Sequence, residues 1–597
     1  MNKKPCILGL ALVGAQALLA AAAANPFTLD DGDVADACTR TFVLPKRIVW
    51  QTAKSEKGFA PRCSVTDATC LLTPKKGQIP ETSDYAGKIV SCKLTNAGNA
   101  PGIILDFGKE LHGGLQLGMS AQTSRNMKLR VRFGESVAET LSNAIEGSRG
   151  EGNDHAIRDL VLAVPAMGSA EIGNTGFRFV RIDLITTGTA AFESVRAVEL
   201  KRPMTRLGSF RSSDERLNRV WETAVRTVHL CCQNYIWDGI KRDRLVWMGD
   251  THPETMSVLN VFGDAAVIPD SLDYMAATTD AKTEWMNIMS PYTLWWVRNL
   301  ADWYRFTGDR DYLRKHHRYL AETMGHLFEY VTPSNAFWGA KRPFLDWPTE
   351  HNRPAVFAGM QALAAIAFDD GAFLAGELGD GQLRTACADA AQTVRKQRDL
   401  DPNGAKSAAA MLALAGLREP KDMFASMLGR NGHEGVSTFY GYYMLEAMSA
   451  ADENQRALDT VRDYWGAMLD VGATTFWEDF KISWTNNCFH IDEMPVAGKV
   501  DIHGDYGEFC YLGFRHSLCH GWSCGPAAWC IRHILGIRPL TPGCTRVEVK
   551  PFLGDLDWAE GSMALPNGRS VKVRVEKDGA GKPRVKADAP KGVEVVL

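Results

Sequence analysis

The sequence predicts a multidomain protein in which a ring of helical hairpins is flanked by an N-terminal β-sandwich and a small C-terminal β-domain. Three observations predict it. From about Asn25 to Pro203, apolar residues alternate or cluster in short β-rich runs separated by Gly and Asn. At Ser212-Ser-Asp-Glu215 the apolar period changes to that of a helix and stays helical for some three hundred residues. After Leu540 short strand patterns return. The expected divisions are residues 1–24, 25–205, 206–540 and 541–597.

The first division reads as a leader. Met1-Asn-Lys3-Lys4, an apolar run from Ile7 to Ala24 and then Asn25-Pro26 have the order of a cleaved secretory signal, which predicts a periplasmic or secreted protein with no membrane contact after cleavage. A retained membrane helix is the alternative, since the run is barely long enough to span. Cys6 precedes the apolar run, so a lipoprotein anchor is not predicted. In the β-sandwich, Ile103–Phe107, Leu115–Met119, Met127–Phe133 and Phe177–Leu184 read as strands, and the Gly-, Ser- and Asn-rich stretch Thr140–Asp154 as a mobile loop. Cys38, Cys63, Cys70 and Cys92 fall close together, and in an exported protein one or two disulfides among them are expected.

The helical division opens with a capping-box pattern, Ser212 with Glu215, followed by Leu217, Val220, Trp221, Ala224, Val225 and Val228 at helical spacing. Further helices are expected near 292–306, 311–331, 356–377, 381–398, 405–416, 420–429, 435–450, 453–469 and 522–535, with Gly308-Asp309 ending one and starting the next. About a dozen helices joined by short turns suggest a closed ring of hairpins. An irregular helical array is the alternative, because helix count does not fix closure. Trp295 and Trp296 lie in a helix, which sends at least one into the core. In the tail, Cys544–Val549, Gly561–Leu565 and Val571–Val575 read as strands, too short a set to bury a core alone.

Charge and composition narrow the partners. Lys and Arg number 67 against 70 Asp and Glu, a net of −3 with no basic block, which excludes a nucleic-acid partner. The 16 Trp offer flat apolar faces of the kind that suit sugar rings, so the expected partner is carbohydrate. Cys519 and Cys524, with Cys510 and Cys530 nearby, lack Cys-x-x-Cys spacing; no metal site and no cofactor motif are read. Oligomeric state leaves no mark in the sequence.

Two stretches concentrate chemistry. Asp238-Gly-Ile-Lys-Arg-Asp243-Arg-Leu-Val-Trp247-Met-Gly-Asp250 puts three carboxylates, three cations and a tryptophan among Ile240, Leu245 and Val246, a partly apolar setting that drives carboxylate pKa values apart. A structural Arg–Asp network would use the same residues. Gly472-Ala-Thr-Thr-Phe-Trp477-Glu478-Asp479 follows a helix much later in the chain. Asp243 and Glu478 meeting from distant loops would form the carboxyl pair that glycoside hydrolysis needs, one to protonate the leaving oxygen and one to activate water or attack the sugar. Loop carboxylates also cap helices and pair with Arg, and that alternative stays open.

These stretches resemble the bacterial α-L-rhamnosidases of glycoside hydrolase family 78 and their six-hairpin relatives. Asp238, Arg242, Asp243, Arg244, Trp247, Gly249 and Asp250 occupy the places of the family's Asp-Cys-Pro-x-Arg-Glu/Asp-Glu-Arg-x-Gly-Trp-x-Gly-Asp motif. Gly472 to Glu478 is similar to its Gly-Ala-Thr-Thr-x-Trp-Glu segment, Ser517-Leu-Cys-His520-Gly-Trp522 to its Ser-x-Asn-His-Tyr-Ala segment, and Phe344-Leu-Asp346-Trp347 to its Phe-x-Asp-Trp segment. The resemblance implies an (α/α)6 barrel and an inverting mechanism with Glu478 as general base and Asp243 as general acid. It places Asp238, Arg242, Trp247, Asp250, Asp346, Trp347, Trp477 and His520 around the sugar. The family's acid is Glu, so Asp243 is one methylene short, and Gly239-Ile-Lys241 and Val246 show a reshaped loop. Glu254, in His252-Pro-Glu254, is the nearest substitute acid, although a helix-start Glu after Pro is the reading the pattern favours. The expected function is an exported glycosidase removing terminal α-L-rhamnose or a similar deoxy-sugar. The alternatives are a lyase of rhamnosyl–uronate linkages, using Lys241, Arg242 and Arg244 to neutralise the uronate, and an inactive glycan-binding homologue.

Overall fold

The computed structural model describes residues 35–53, 63–73, 90–122, 126–143, 153, 155–332, 337, 341–397, 399–509 and 511–597. The expected signal sequence and most of the loop at 140–154 lie outside them. The N-terminal part is a branched nine-stranded sheet in which every pairing is antiparallel. Its longest strand, Gly102–Gln122, merges two of the expected runs and pairs with Arg47–Gln51, Gly168–Leu184 and Gly188–Lys201. Register shifts between Asp106 and Leu111 and between Gly113 and Leu115 bend it. Gly113 sits at φ +141°, where an added Cβ would meet the Val198 carbonyl oxygen at 1.9 Å, so only glycine fits the bend. Leu105, Phe107, Leu117, Phe177 and Val180 point inward and build a core of their own.

The expected disulfides are not formed. Cys38, Cys63 and Cys92 carry free thiols, and burial pushes Cys92 up to about 12, a value that keeps it an unreactive thiol. The strand pairing explains part of this: Cys63 lies opposite Asn96 and its Sγ accepts from the Asn99 backbone amide, so it faces no cysteine.

The helical part begins at Glu215–Cys231, but its cap is Asp214, whose side chain accepts from the Leu217 amide. Ser212 cannot cap because it belongs to the strand Ser209–Ser212, which pairs with Trp558–Leu565 of the tail. Gly308 at φ +65° ends the helix Ser290–Thr307, and Asp309 caps the next, Arg310–Phe328, as the pattern predicts. Val267–Thr278 escapes sequence reading, and of Thr251–Phe262 only the start at Pro253-Glu254 is read. Every residue of Thr251–Phe262 is buried, so it has no polar face and no amphipathic period. Arg353–Leu378 is apolar and long enough to cross a bilayer, yet it is enclosed by neighbouring helices as a core element.

The tail strands Trp558–Leu565, Arg569–Lys577 and Pro583–Asp588 complete the sheet that Ser209–Ser212 opens. Met563, Val571, Val573 and Val575 share one apolar core with the helices, as expected for a tail too short to stand alone. Trp295 and Trp296 are both in that core.

Candidate active site

The helix Glu215–Cys231 delivers the chain to the first motif. Its backbone is pinned rather than helical. Asp238 N donates to the Leu245 carbonyl at 3.1 Å, and Gly521 N donates to the Asp238 carbonyl at 2.6 Å. Gly239 bridges His520, so the first motif and the His520 segment are stitched together. Asp243 and Arg244 adopt φ +50° and +54°. Two consecutive non-glycine residues in the left-handed region store strain, a cost of order 1–3 kcal/mol each that surrounding structure must hold. This is how the reshaped loop turns Asp243 toward the cleft.

That cleft has a volume of about 520 Å³. Asp238, Arg242, Asp243, Asp250, Glu478 and His520 line its polar side. Trp247, Trp347, Tyr292, Tyr511 and Trp522 supply aromatic surface. Arg242 stands at the centre. Its Nη1 donates to Asp243 Oδ1 at 3.1 Å, its Nη2 to Glu478 Oε1, and its Nε to the Arg515 carbonyl at 2.9 Å, while the guanidinium lies over the Tyr511 ring at 5.2 Å. One guanidinium therefore bridges the two carboxylates that the sequence singled out.

Glu478 is held from both sides. Its Oε2 accepts from the Ser517 amide at 3.1 Å, and Oε1 lies 3.4 Å from His520 Nε2. Its own amide donates to the Ser517 carbonyl, and its carbonyl accepts from Trp522 Nε1 at 3.0 Å. His520 Nε2 also lies 3.5 Å from Asp238 Oδ2, and burial pushes the imidazole down to about 4, so it is neutral at pH 7. Asp238 is pushed well above the carboxylate range by burial and by the charge of Asp243; Asp250 likewise by burial and Asp238. The upward shift favours the protonated form, which can donate as well as accept and so suits hydroxyl recognition. Asp250 accepts from Tyr292 OH at 3.0 Å, and Gly249 leaves room for that ring, since a Cβ there would meet it at 2.4 Å.

Two expected sugar contacts fall elsewhere. Trp477 is fully buried against Phe480 and His516 and does not reach the cleft; its indole turns into the core while the next residue, Glu478, lines the cleft. Asp346 is spent on structure: its Oδ2 accepts from Ser437 Oγ at 2.7 Å, it caps the turn Trp347–Thr349, and it is 2% exposed. Trp347 beside it does line the cleft. Glu254 sits in the first turn of Thr251–Phe262, fully buried with neither carboxyl oxygen hydrogen-bonded among the described residues, and does not line the cleft. It fills the space above Gly521, where a Cβ would lie 1.4 Å from its Oε1.

Burial holds Asp346 protonated to about 7, whereas unfolded it ionises near 3.8. Between those values the native state binds the extra proton, so this residue's contribution to stability falls as pH rises from about 4 to about 7. Asp346→Asn keeps an acceptor for Ser437 and removes that dependence. Its unfolding free energy relative to wild type is expected to rise over the same window, by up to about 4 kcal/mol. Urea titrations at pH 4.5 and 7.5 check it; an equal difference at both would refute it.

Of the three cations in the first motif, only Arg242 lines the cleft. Arg244 is strapped to the sheet, donating to the carbonyls of Asn174 and His155. Lys241 is buried, its Nζ 2.9 Å from Glu139 Oε1, 3.3 Å from Glu135 Oε2 and 2.8 Å from the His516 carbonyl. Arg158 also donates to Glu139. Although burial pushes Glu139 up, Arg158 and Lys241 outweigh it and hold the carboxylate low. Glu135, Glu139 and His503 lie close enough together to hold a metal ion, but Lys241 and Arg158 already set two positive charges against the two carboxylates. Sequence reading missed this cluster because its acids lie in the sheet part, a hundred residues before the motif. Lys241→Met would leave two buried carboxylates short of a cation, and we expect a loss of about 3–5 kcal/mol, read as a lower urea midpoint.

Residues 205–368 match the family model described as bacterial alpha-L-rhamnosidase 6 hairpin glycosidase domain. The resemblance to the bacterial α-L-rhamnosidases holds. The structure is similar to the family 78 rhamnosidase of Bacillus sp. GL1, with TM-score 0.68 and 21% identity over 83% of this chain and 53% of that one. It is also similar to a Klebsiella oxytoca rhamnosidase with rhamnose bound, at 0.60 and 19% over 83% and 96%, and to a Streptomyces avermitilis α-L-rhamnosidase complexed with L-rhamnose, at 0.62 and 16% over 83% and 48%. The chain thus spans about half the length of the Bacillus and Streptomyces rhamnosidases. No curated protein sequence matches it.

Proposed function

We propose that the protein is an exported glycoside hydrolase that removes terminal α-L-rhamnose, or a similar deoxy-sugar, by an inverting acid/base mechanism. The observation that carries this is the Arg242 bridge between Asp243 and Glu478 in an aromatic-walled cleft. Inverting enzymes hold their two carboxyl groups roughly 6.5–9.5 Å apart to leave room for a water, and in this reading the Arg242 guanidinium lies between the two. Glu478, an acceptor on both oxygens, takes a proton from that water. Asp243, whose side chain is 21% exposed against 3% for Glu478, takes up a proton from solvent and in that protonated form gives it to the glycosidic oxygen. Asp238, Asp250 and His520 hold hydroxyls, and Trp247 and Trp347 cover the apolar face of the ring, including the C6 methyl of a deoxy-sugar. In this reading the helices close as an (α/α)6 barrel and the first sheet folds as a β-sandwich.

A proton NMR time course with a rhamnose-capped oligosaccharide containing glucuronate tests the proposal. Early β-rhamnose is the expected product. Early α-rhamnose would refute inversion, and vinylic signals from an unsaturated uronate would assign the protein as a lyase instead.

A further inference from the structure

A groove of about 910 Å³, sharing no residue with the cleft, runs between the sheet part and the helix Glu215–Cys231. Cations crowd it. Lys109 and Lys201 reach it from the sheet, Arg211 from the strand Ser209–Ser212, and Arg219 and Arg226, seven residues apart, from one face of the helix. Arg206 is paired there with Glu222 through two hydrogen bonds. Lys109, Lys201, Arg211 and Arg219 make no ion pair among the described residues. Arg226 Nη2 donates to the Glu110 carbonyl and lies 3.5 Å from Glu199 Oε1, while its Nε is buried without a hydrogen-bond partner among the described residues. Lys109 is held below the usual lysine range, first by Arg226 and then by burial, which marks a repulsion that an anion would relieve. A second hollow of about 570 Å³ shares Arg206 and Arg211 and carries the band onto the tail sheet with Lys572 and Lys586. Glu215, Glu222, Glu560 and Asp588 also line the two hollows, so nine cations stand against four carboxylates and the joined track is net positive in a chain whose own net charge is −3.

We propose that this track binds a stretch of anionic polysaccharide through its sugar carboxylates, as an anchoring site separate from the cleft. The inference rests on the protein being a glycan-degrading enzyme. Length favours a polymer over a single ion, because the track crosses the sheet, the helix and the tail. The wall chemistry favours sugar over single-stranded nucleic acid, which needs exposed aromatic platforms for its bases. The phenyl rings here, Phe210 and Phe262, are buried, and beside apolar residues such as Met204 and Leu469 the wall offers Asn218, Thr223 and Thr474 to hydroxyls.

The test uses the full mature protein, with polygalacturonate as the acidic polymer lacking rhamnose and dextran as the neutral one. Calorimetry should show polygalacturonate binding that weakens with added salt, and no dextran binding. The triple variant Lys109→Ala, Arg211→Ala, Arg219→Ala should bind at least tenfold more weakly while turning over an aryl rhamnoside at the wild-type rate. Glu478→Gln should bind as wild type does. Unchanged affinity in the triple variant would overturn the proposal, as would tighter binding of a single-stranded oligonucleotide of matched charge. Groove-dependent binding in a protein inert toward every rhamnoside would uphold the anchoring site and refute the hydrolase reading.

Discussion

Glu478→Gln is expected to lower kcat by about 10²–10⁴-fold on every rhamnoside, whatever its leaving group, the range that loss of a positioned general base produces. The carboxamide keeps the shape of the side chain and one acceptor, which Arg242 and His520 would retain, so KM should change little. It cannot take a proton from water. Its amide nitrogen would also face the Ser517 amide that Glu478 Oε2 now accepts, donor against donor, so that hydrogen bond is lost. Steady-state kinetics on a dinitrophenyl and a natural rhamnoside check this. A variant with more than a tenth of wild-type turnover on either would remove Glu478 from the mechanism.

Asp243→Asn is expected to behave differently. With a natural glycoside, whose leaving oxygen needs a proton, kcat should fall by about 10³-fold; with a dinitrophenyl rhamnoside, whose leaving group departs as an anion, it should fall by less than tenfold. The substitution is conformationally mild, because Asn is among the side chains that tolerate the left-handed backbone Asp243 occupies. It also retains an acceptor for Arg242 Nη1. Equal losses on both substrates would mean that Asp243 positions the sugar and that another group supplies the proton. Glu254 is not that group by direct contact, since it lies enclosed over Gly521 and does not line the cleft.

Much of this arrangement is written locally. The alternation around Met127–Phe133 and the Gly308-Asp309 junction report elements whose signals lie within a few residues. The two carboxylates could be singled out because each sits beside Trp or Arg in a loop that follows a helix. What escaped depends on partners far away in sequence. Ser212 carries a capping pattern yet serves in a strand, because its pairing partner is Ala559. Trp477 adjoins Glu478 in the chain and points into the core, a choice made by Phe480 and His516. Lys241 reads as a cleft cation until Glu135 and Glu139 are brought against it. Thr251–Phe262 hides for the opposite reason, having no polar face to report.

The strand Ser209–Ser212 also bears on how the protein is born. Ser209 Oγ meets Ser562 Oγ at 2.9 Å across 353 residues of chain, and this strand leads directly into the first helix. At roughly 5–20 residues per second, a ribosome takes tens of seconds to travel that distance. During that interval the opening helix has no finished sheet beneath it and the shared core lacks Met563, Val571 and Val573. The nascent chain therefore cannot complete the shared core until these tail strands emerge.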